Sequence, residues 1–181
     1  MVPVSKARDL VSGLMMLRAR DGIHAAQIPL HTQLAAQAQR RYGAMLMATI
    51  YKELTVPATA EDVWAAIRDV AAVHTRLARE FVTDTRLDGD SRLVTFANGT
   101  VIRERIITID DERRRLAYSV VEWQATHHNA TFQVIADGDR RTRIVWIADL
   151  LPNNLANLVN EQMSQGVEAI KRTMEREFNH G

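Results

Sequence analysis

From Phe81 to Leu150 the chain is one run of short segments of alternating polarity, interrupted at regular intervals by turn residues. Phe81–Leu87 stops at Asp88-Gly89-Asp90, and Arg92–Phe96 stops at Asn98-Gly99. Val101–Ile109 ends at Asp110-Asp111, Arg115–Val121 near Trp123, His127–Ile135 at Asp137-Gly138-Asp139, and Arg141–Leu150 at Pro152. A period of two marks half-buried strands, and turns this short join strands antiparallel. Asn98-Gly99 is the sharpest signal, because a type I′ hairpin turn needs positive φ at both central residues. An earlier segment, Ala48–Pro57, also alternates. Ile50, Lys52, Leu54 and Val56 share one face, and Thr49, Tyr51, Glu53 and Thr55 share the other. The expectation is a seven-stranded antiparallel meander.

Two short helices follow the first strand. Thr59 can cap the first, with Asp62 three residues on, close to a capping box, and Val63, Trp64 and Ile67 form its apolar stripe. The second spans Ala71–Leu77. A long helix closes the chain, capped by Asn153 or Asn154 after Pro152. Leu155, Leu158, Val159, Met163, Val167, Ile170, Met174 and Phe178 recur every three or four residues along it. Gly166 sits near this stripe, where a small residue leaves room between helix and sheet.

One sheet face and one helix stripe need mutual burial. Sheets of seven strands twist and curl, and a single helix does not fill the concave side. The fold class is therefore α+β: a helix-grip, with a curved antiparallel sheet wrapped around the C-terminal helix. Leftover concave apolar space is where small molecules bind.

Composition narrows the chemistry. The chain of 181 residues has no cysteine, which excludes a disulfide framework, a thiolate zinc site and a cysteine nucleophile. That fits a reducing, cytoplasmic setting. A net charge of +1 supplies no field toward nucleic acid or anionic lipid. No apolar run approaches the roughly 18 residues of a membrane-spanning helix. Residues 1–45 read differently from the rest. They carry Lys6, Arg8, Arg18, Arg20, Arg40 and Arg41 against only Asp9 and Asp21, with Gly13, Gly22 and Pro29 as breakers. They are expected to form a basic, loosely ordered extension before a domain at 46–181. Arg113-Arg114-Arg115, beside Asp110, Asp111 and Glu112, reads as a solvated hairpin tip.

Several strings carry a family resemblance: Val56-Pro57-Ala58-Thr59 running into Val63-Trp64, the Gly-bounded hairpins, and Asp149-Leu150-Leu151-Pro152 before the last helix. From about Ala48 to Glu177 the chain resembles the START-like SRPBCC superfamily of polyketide cyclase/dehydrase and lipid-transport proteins. Glu104-Arg105-Ile106 with Asp110-Asp111-Glu112-Arg113 also looks like a strand pair of the plant abscisic-acid receptors in that superfamily. Those receptors use a pocket lysine, and the nearest position here is Thr83, so hormone binding is not carried over.

Register decides which side chains face the cavity. Ile102, Glu104 and Ile106 share one strand face, and Arg103, Arg105 and Ile107 the other. The resemblance implies that the first face is concave, which makes Glu104 a buried carboxylate suited to acid/base work or anchoring. The alternative is a surface glutamate in a ladder with Arg103 or Arg105. His128 lies on the apolar face with Ala130, Phe132 and Val134, whereas His127 points the opposite way, so the two cannot chelate one metal. Tyr118, with Leu116 and Val120, suits a pocket wall. Trp146 lies between two apolar strand faces and its side stays open. Met163, Val167 and Ile170 are expected to meet the cavity from the helix. No nucleophile elbow, phosphate-cradling loop, zinc-helix motif or dinucleotide fingerprint occurs, and neither a cofactor nor a metal is expected. Three functions compete: a binding module for a small hydrophobic molecule (lipid, polyketide or isoprenoid-like), a cyclase/dehydratase-like enzyme using Glu104 and His128, and an interaction domain with a filled cavity.

Overall fold

The computed structural model describes residues 47–178. The expected N-terminal extension, residues 1–45, lies outside them. Seven strands form one open sheet: β1 (Ala48–Val56), β2 (Val82–Asp88), β3 (Ser91–Phe96), β4 (Val101–Asp110), β5 (Arg115–Val121), β6 (His127–Ala136) and β7 (Thr142–Leu151). All neighbours are antiparallel, in the order β1-β7-β6-β5-β4-β3-β2. The meander thus runs from β2 to β7, and β1 joins it from the far side by pairing with β7.

The alternation of β1 is reproduced in its burial: Ile50, Leu54 and Val56 are buried, while Thr49, Tyr51, Glu53 and Thr55 are exposed. Lys52, on the inner face, reaches across to Ser164 of the last helix at 2.8 Å. Helix α1 (Ala60–Arg68) starts at Thr59, whose hydroxyl accepts the Asp62 amide at 3.1 Å and donates to the Asp62 carboxylate at 2.7 Å. The expected second short helical segment is present as a single wide turn, Val73–Leu77. At the C-terminal end a tight turn, Asn153–Leu155, leads into α2 (Ala156–Phe178).

Two local details differ from expectation. The Asn98-Gly99 turn is not type I′. Gly99 alone takes a positive φ there (+83°), and the loop closes through Gly99 N–H to the Phe96 carbonyl and Phe96 N–H to the Thr100 carbonyl. One residue more than a two-residue hairpin is spent in the loop, which shifts the register of everything beyond it. In β4, pairing with β5 slips between Ile106 and Thr108, so Ile107 bulges outward and is half exposed.

The core lies between the concave face and the helices. It includes Leu116, Ile144, Leu150, Ile67 and, from α2, Met163, Ala169, Ile170 and Met174. Thr173 is also buried there, its hydroxyl accepting the Arg79 amide at 3.1 Å.

Candidate functional site

Strand pairing places three concave-face residues side by side. Arg92 of β3 stands opposite Glu104 of β4, and Glu104 stands opposite Val120 of β5. Beyond Val120 the row continues to His128, whose ring nitrogen Nδ1 accepts the Val120 amide at 3.1 Å. Arg92 and Glu104 are both buried and form an ion pair, Nε to Oε2, at 2.7 Å. The Arg92 guanidinium also lies 5.3 Å from the Tyr118 ring centroid and donates to the Val70 carbonyl at 3.4 Å. The carboxylate foreseen at Glu104 is therefore inside, and its partner is Arg92 rather than Arg103 or Arg105. Those two project outward to Asp88, Glu122 and Asp90.

Below this row an aromatic floor fills the grip. Trp146 Nε1 donates to the Tyr118 hydroxyl at 3.1 Å. Phe132 stacks on Trp146 with centroids 4.7 Å apart and on Tyr118 at 6.3 Å. Ala130 and Ala148 occupy the positions beside Tyr118 on β6 and β7, and their small side chains leave width for the rings. Trp146 thus belongs to the inner face, with Ile144 and Ala148. Burial, reinforced by the Glu104 charge, pushes the Tyr118 phenol far above its ordinary range, so it remains a neutral hydroxyl.

Gly166 is explained by this floor. A Cβ there would sit 2.8 Å from Trp146 Cζ3 and 3.1 Å from Cη2. The space expected beside Gly166 is occupied by the indole. Gly166→Ala should gain about 1 kcal/mol of helix propensity but lose about 1–3 kcal/mol to overpacking, for net destabilisation in urea unfolding. In a Trp146→Leu background the clash is gone, and the same substitution should become stabilising.

Above the floor a cavity of about 330 Å³ stays open. Glu104, Tyr118, His128, Trp146 and Met163 line it, together with Phe81, Phe96, Ile102 and Val120. Its mouth is formed by Asn98 and Thr100 of the β3–β4 turn, Trp123 and Gln124 of the β5–β6 loop, and Leu158 and Gln162 of α2. Phe132 lies behind Trp146 and Tyr118, and Val167 and Ile170 lie farther along α2, outside the lining set.

His128 is buried, and its pKa falls to about 4. Burial is the main cause, the nearby His127 adds to it, and Asp149 opposes it. The neutral ring carries its lone pair on Nδ1, because that atom accepts the Val120 amide, so the proton sits on Nε2. The residue is a donor with no free lone pair. Glu104 and His128 are separated by the whole of β5, two interstrand spacings or about 10 Å between Cα atoms. The arrangement offers an ion-paired carboxylate acceptor, an imidazole donor and a phenol around apolar walls. It supplies two polar anchors carried on separate strands. Among the described residues no cluster of His, Asp and Glu is arranged to hold a metal ion, and no helix is long and apolar enough to cross a membrane.

Residues 47–177 match the family of polyketide cyclase / dehydrase and lipid transport proteins, and the chain belongs to it. The fold is accordingly START-like. Among solved structures it is similar to XoxI from Bacillus cereus, with 21% identity and a TM-score of 0.65, covering 75% of this chain and 100% of that one. The Zhui aromatase/cyclase from Streptomyces sp. R1128 is 18% identical, with a TM-score of 0.58, covering 72% and 95%. Norcoclaurine synthase from Thalictrum flavum is 19% identical, with a TM-score of 0.58, covering 75% and 96%. At these identities the likeness is one of fold. No curated protein matches the chain.

Sequence reasoning missed Arg92 and the aromatic pair Phe81 and Phe96, whose rings meet edge to face at 5.1 Å. Arg92 alternates with Val94 and Phe96 along β3, and that alternation was the available signal for its inward direction.

Proposed function

We propose that the protein binds a small, predominantly apolar molecule in the cavity between sheet and C-terminal helix. The observation that carries this reading is the cavity itself. About 330 Å³ remains open above a packed aromatic floor, with Glu104, Tyr118 and His128 among the polar groups in its wall. An interaction domain with a filled interior would have no such space. The volume lies at the lower end of ligand sites, so one or two fused rings or a short isoprenoid suits it better than a two-chain lipid. Glu104 would accept a hydroxyl or amine hydrogen of the ligand, and His128 Nε2 would donate to a carbonyl or ether oxygen.

Native mass spectrometry of protein purified without detergent should reveal a co-purified small molecule, released on unfolding. For a defined probe, 2-naphthol is uncharged, aromatic and carries one hydroxyl. Glu104→Gln should weaken its binding by about 10- to 100-fold, the worth of one charge-assisted hydrogen bond, read by titration of probe fluorescence. Unchanged affinity in both Glu104→Gln and His128→Leu would remove these residues as anchors.

A further inference from the structure

The sheet beside this cavity is incomplete along one seam. The ladder between β5 and β6 ends at Tyr118 and Ala130, although β5 continues to Val121 and β6 begins at His127. Neither strand is frayed there. Val121 is still paired with Arg103 of β4, and His127 with Leu151 of β7. The gap is confined to the one seam they share.

Side chains close that seam. The Val120 amide donates to the His128 ring rather than to a main-chain carbonyl, and the Ser119 hydroxyl donates to the His128 carbonyl. On the outer face of the seam lies a cleft of about 530 Å³, walled by Ser119, Thr126, His127, Asn129 and Asp149 among others. Val120 and His128 border both this cleft and the inner cavity. The connecting loop divides in the same way. Trp123 and Gln124 line the cavity, and Glu122, Ala125 and Thr126 line the cleft. The loop begins at Glu122, held at a left-handed φ of +57°.

We infer that the β5–β6 seam is a second access route to the cavity, latched by the His128 side chain and covered by the loop of residues 122–126. Opening it breaks two side-chain hydrogen bonds and leaves the β4–β5 and β6–β7 ladders intact. The inference rests on the cavity being a binding site.

The chain has no cysteine, so a disulfide across the seam is free of competing thiols. Ser119 and Asn129 follow the last ladder pair, both face the outer cleft, and neither lines the cavity. In the Ser119→Cys/Asn129→Cys variant, stopped-flow uptake of 2-naphthol should be slower in the oxidised than in the reduced form, by the share of entry that the seam carries beside the mouth. Reduction should restore it, and the equilibrium affinity should not change. Equal uptake rates in the oxidised and reduced forms would overturn the route while leaving cavity binding in place. Absence of uptake by the unsubstituted protein would overturn the cavity reading, and the route with it. If the double variant does not fold, Ala125→Trp, which fills the outer cleft, should slow uptake instead, and an unchanged rate there would equally overturn the route.

Discussion

Replacing Glu104 with leucine is expected to destabilise the fold by about 3–5 kcal/mol, because it leaves the Arg92 guanidinium buried without its counter-charge. Arg92 is 3% exposed, and among the described residues a single carboxylate is paired with it, Glu104 Oε2 at 2.7 Å. Its remaining contacts, the Tyr118 ring and the distant Val70 carbonyl, are weak. Removing both charges together is a different experiment. Arg92→Met/Glu104→Leu replaces the pair by apolar side chains of similar length, and such exchanges are often neutral or stabilising. The double variant should therefore unfold within about 1 kcal/mol of the parent in urea, while each single variant unfolds far earlier. It should also have lost the carboxylate anchor, so weakened 2-naphthol binding would persist in a chain of ordinary stability. If the double variant were as unstable as Glu104→Leu, the pair would be holding the strands in place and could not be assigned chiefly to the ligand.

This pair also shows where reading the sequence reached and where it stopped. Period-two alternation located all seven strands and pointed Tyr118 and His128 to the apolar, concave side, whereas for Glu104 the choice of face came from the family resemblance; all three are buried on that face. Cross-strand partners need the register as well, and register depends on loop length. Read as a two-residue turn, Asn98-Gly99 would set Leu93 opposite Glu104. With the loop one residue longer, Arg92 takes that place. A shift of one residue thus exchanges an apolar neighbour for a salt bridge. Trp146 was ambiguous for another reason. Both faces of β7 are apolar, with Val145 and Ile147 on the outer side, so alternation carried no contrast. Its pairing with Lys52, already on the inner face of β1, resolves it.

The helix side of the site was legible only in part. The stripe of α2 fixed which residues point toward the sheet but not how deep the grip is filled. Trp146, let in by Gly166, sets that depth. Met163 lines the cavity, whereas Val167 and Ile170 lie farther along α2 and pack against the core. The cavity is therefore shorter than the apolar stripe, and the ligand it suits is correspondingly small.

The second large effect is acid lability. His128 is held neutral in the folded chain, its pKa lowered to about 4 from an ordinary value of 6.5. The unfolded chain therefore binds a proton that the folded chain refuses. Stability from this source is complete above about pH 6.5 and is lost as pH falls toward 4, because the unfolded state takes up more protons in that window. A displacement of this size corresponds to about 3 kcal/mol at its low-pH limit. Two carboxylates whose pKa values are lowered on folding, Glu80 and Asp110, act in the same direction but farther down, below their ordinary values of 4.5 and 3.8. Among the described residues, the interval between pH 6.5 and 4.5 therefore isolates the histidine from the carboxylates with a marked shift. Urea unfolding across that interval should show stability falling with acidification. His128→Gln, which keeps a neutral acceptor for the Val120 amide and cannot be protonated, should flatten the slope. A slope unchanged by that substitution would mean that the His128 ring takes up its proton without leaving the seam, and that burial does not hold it neutral.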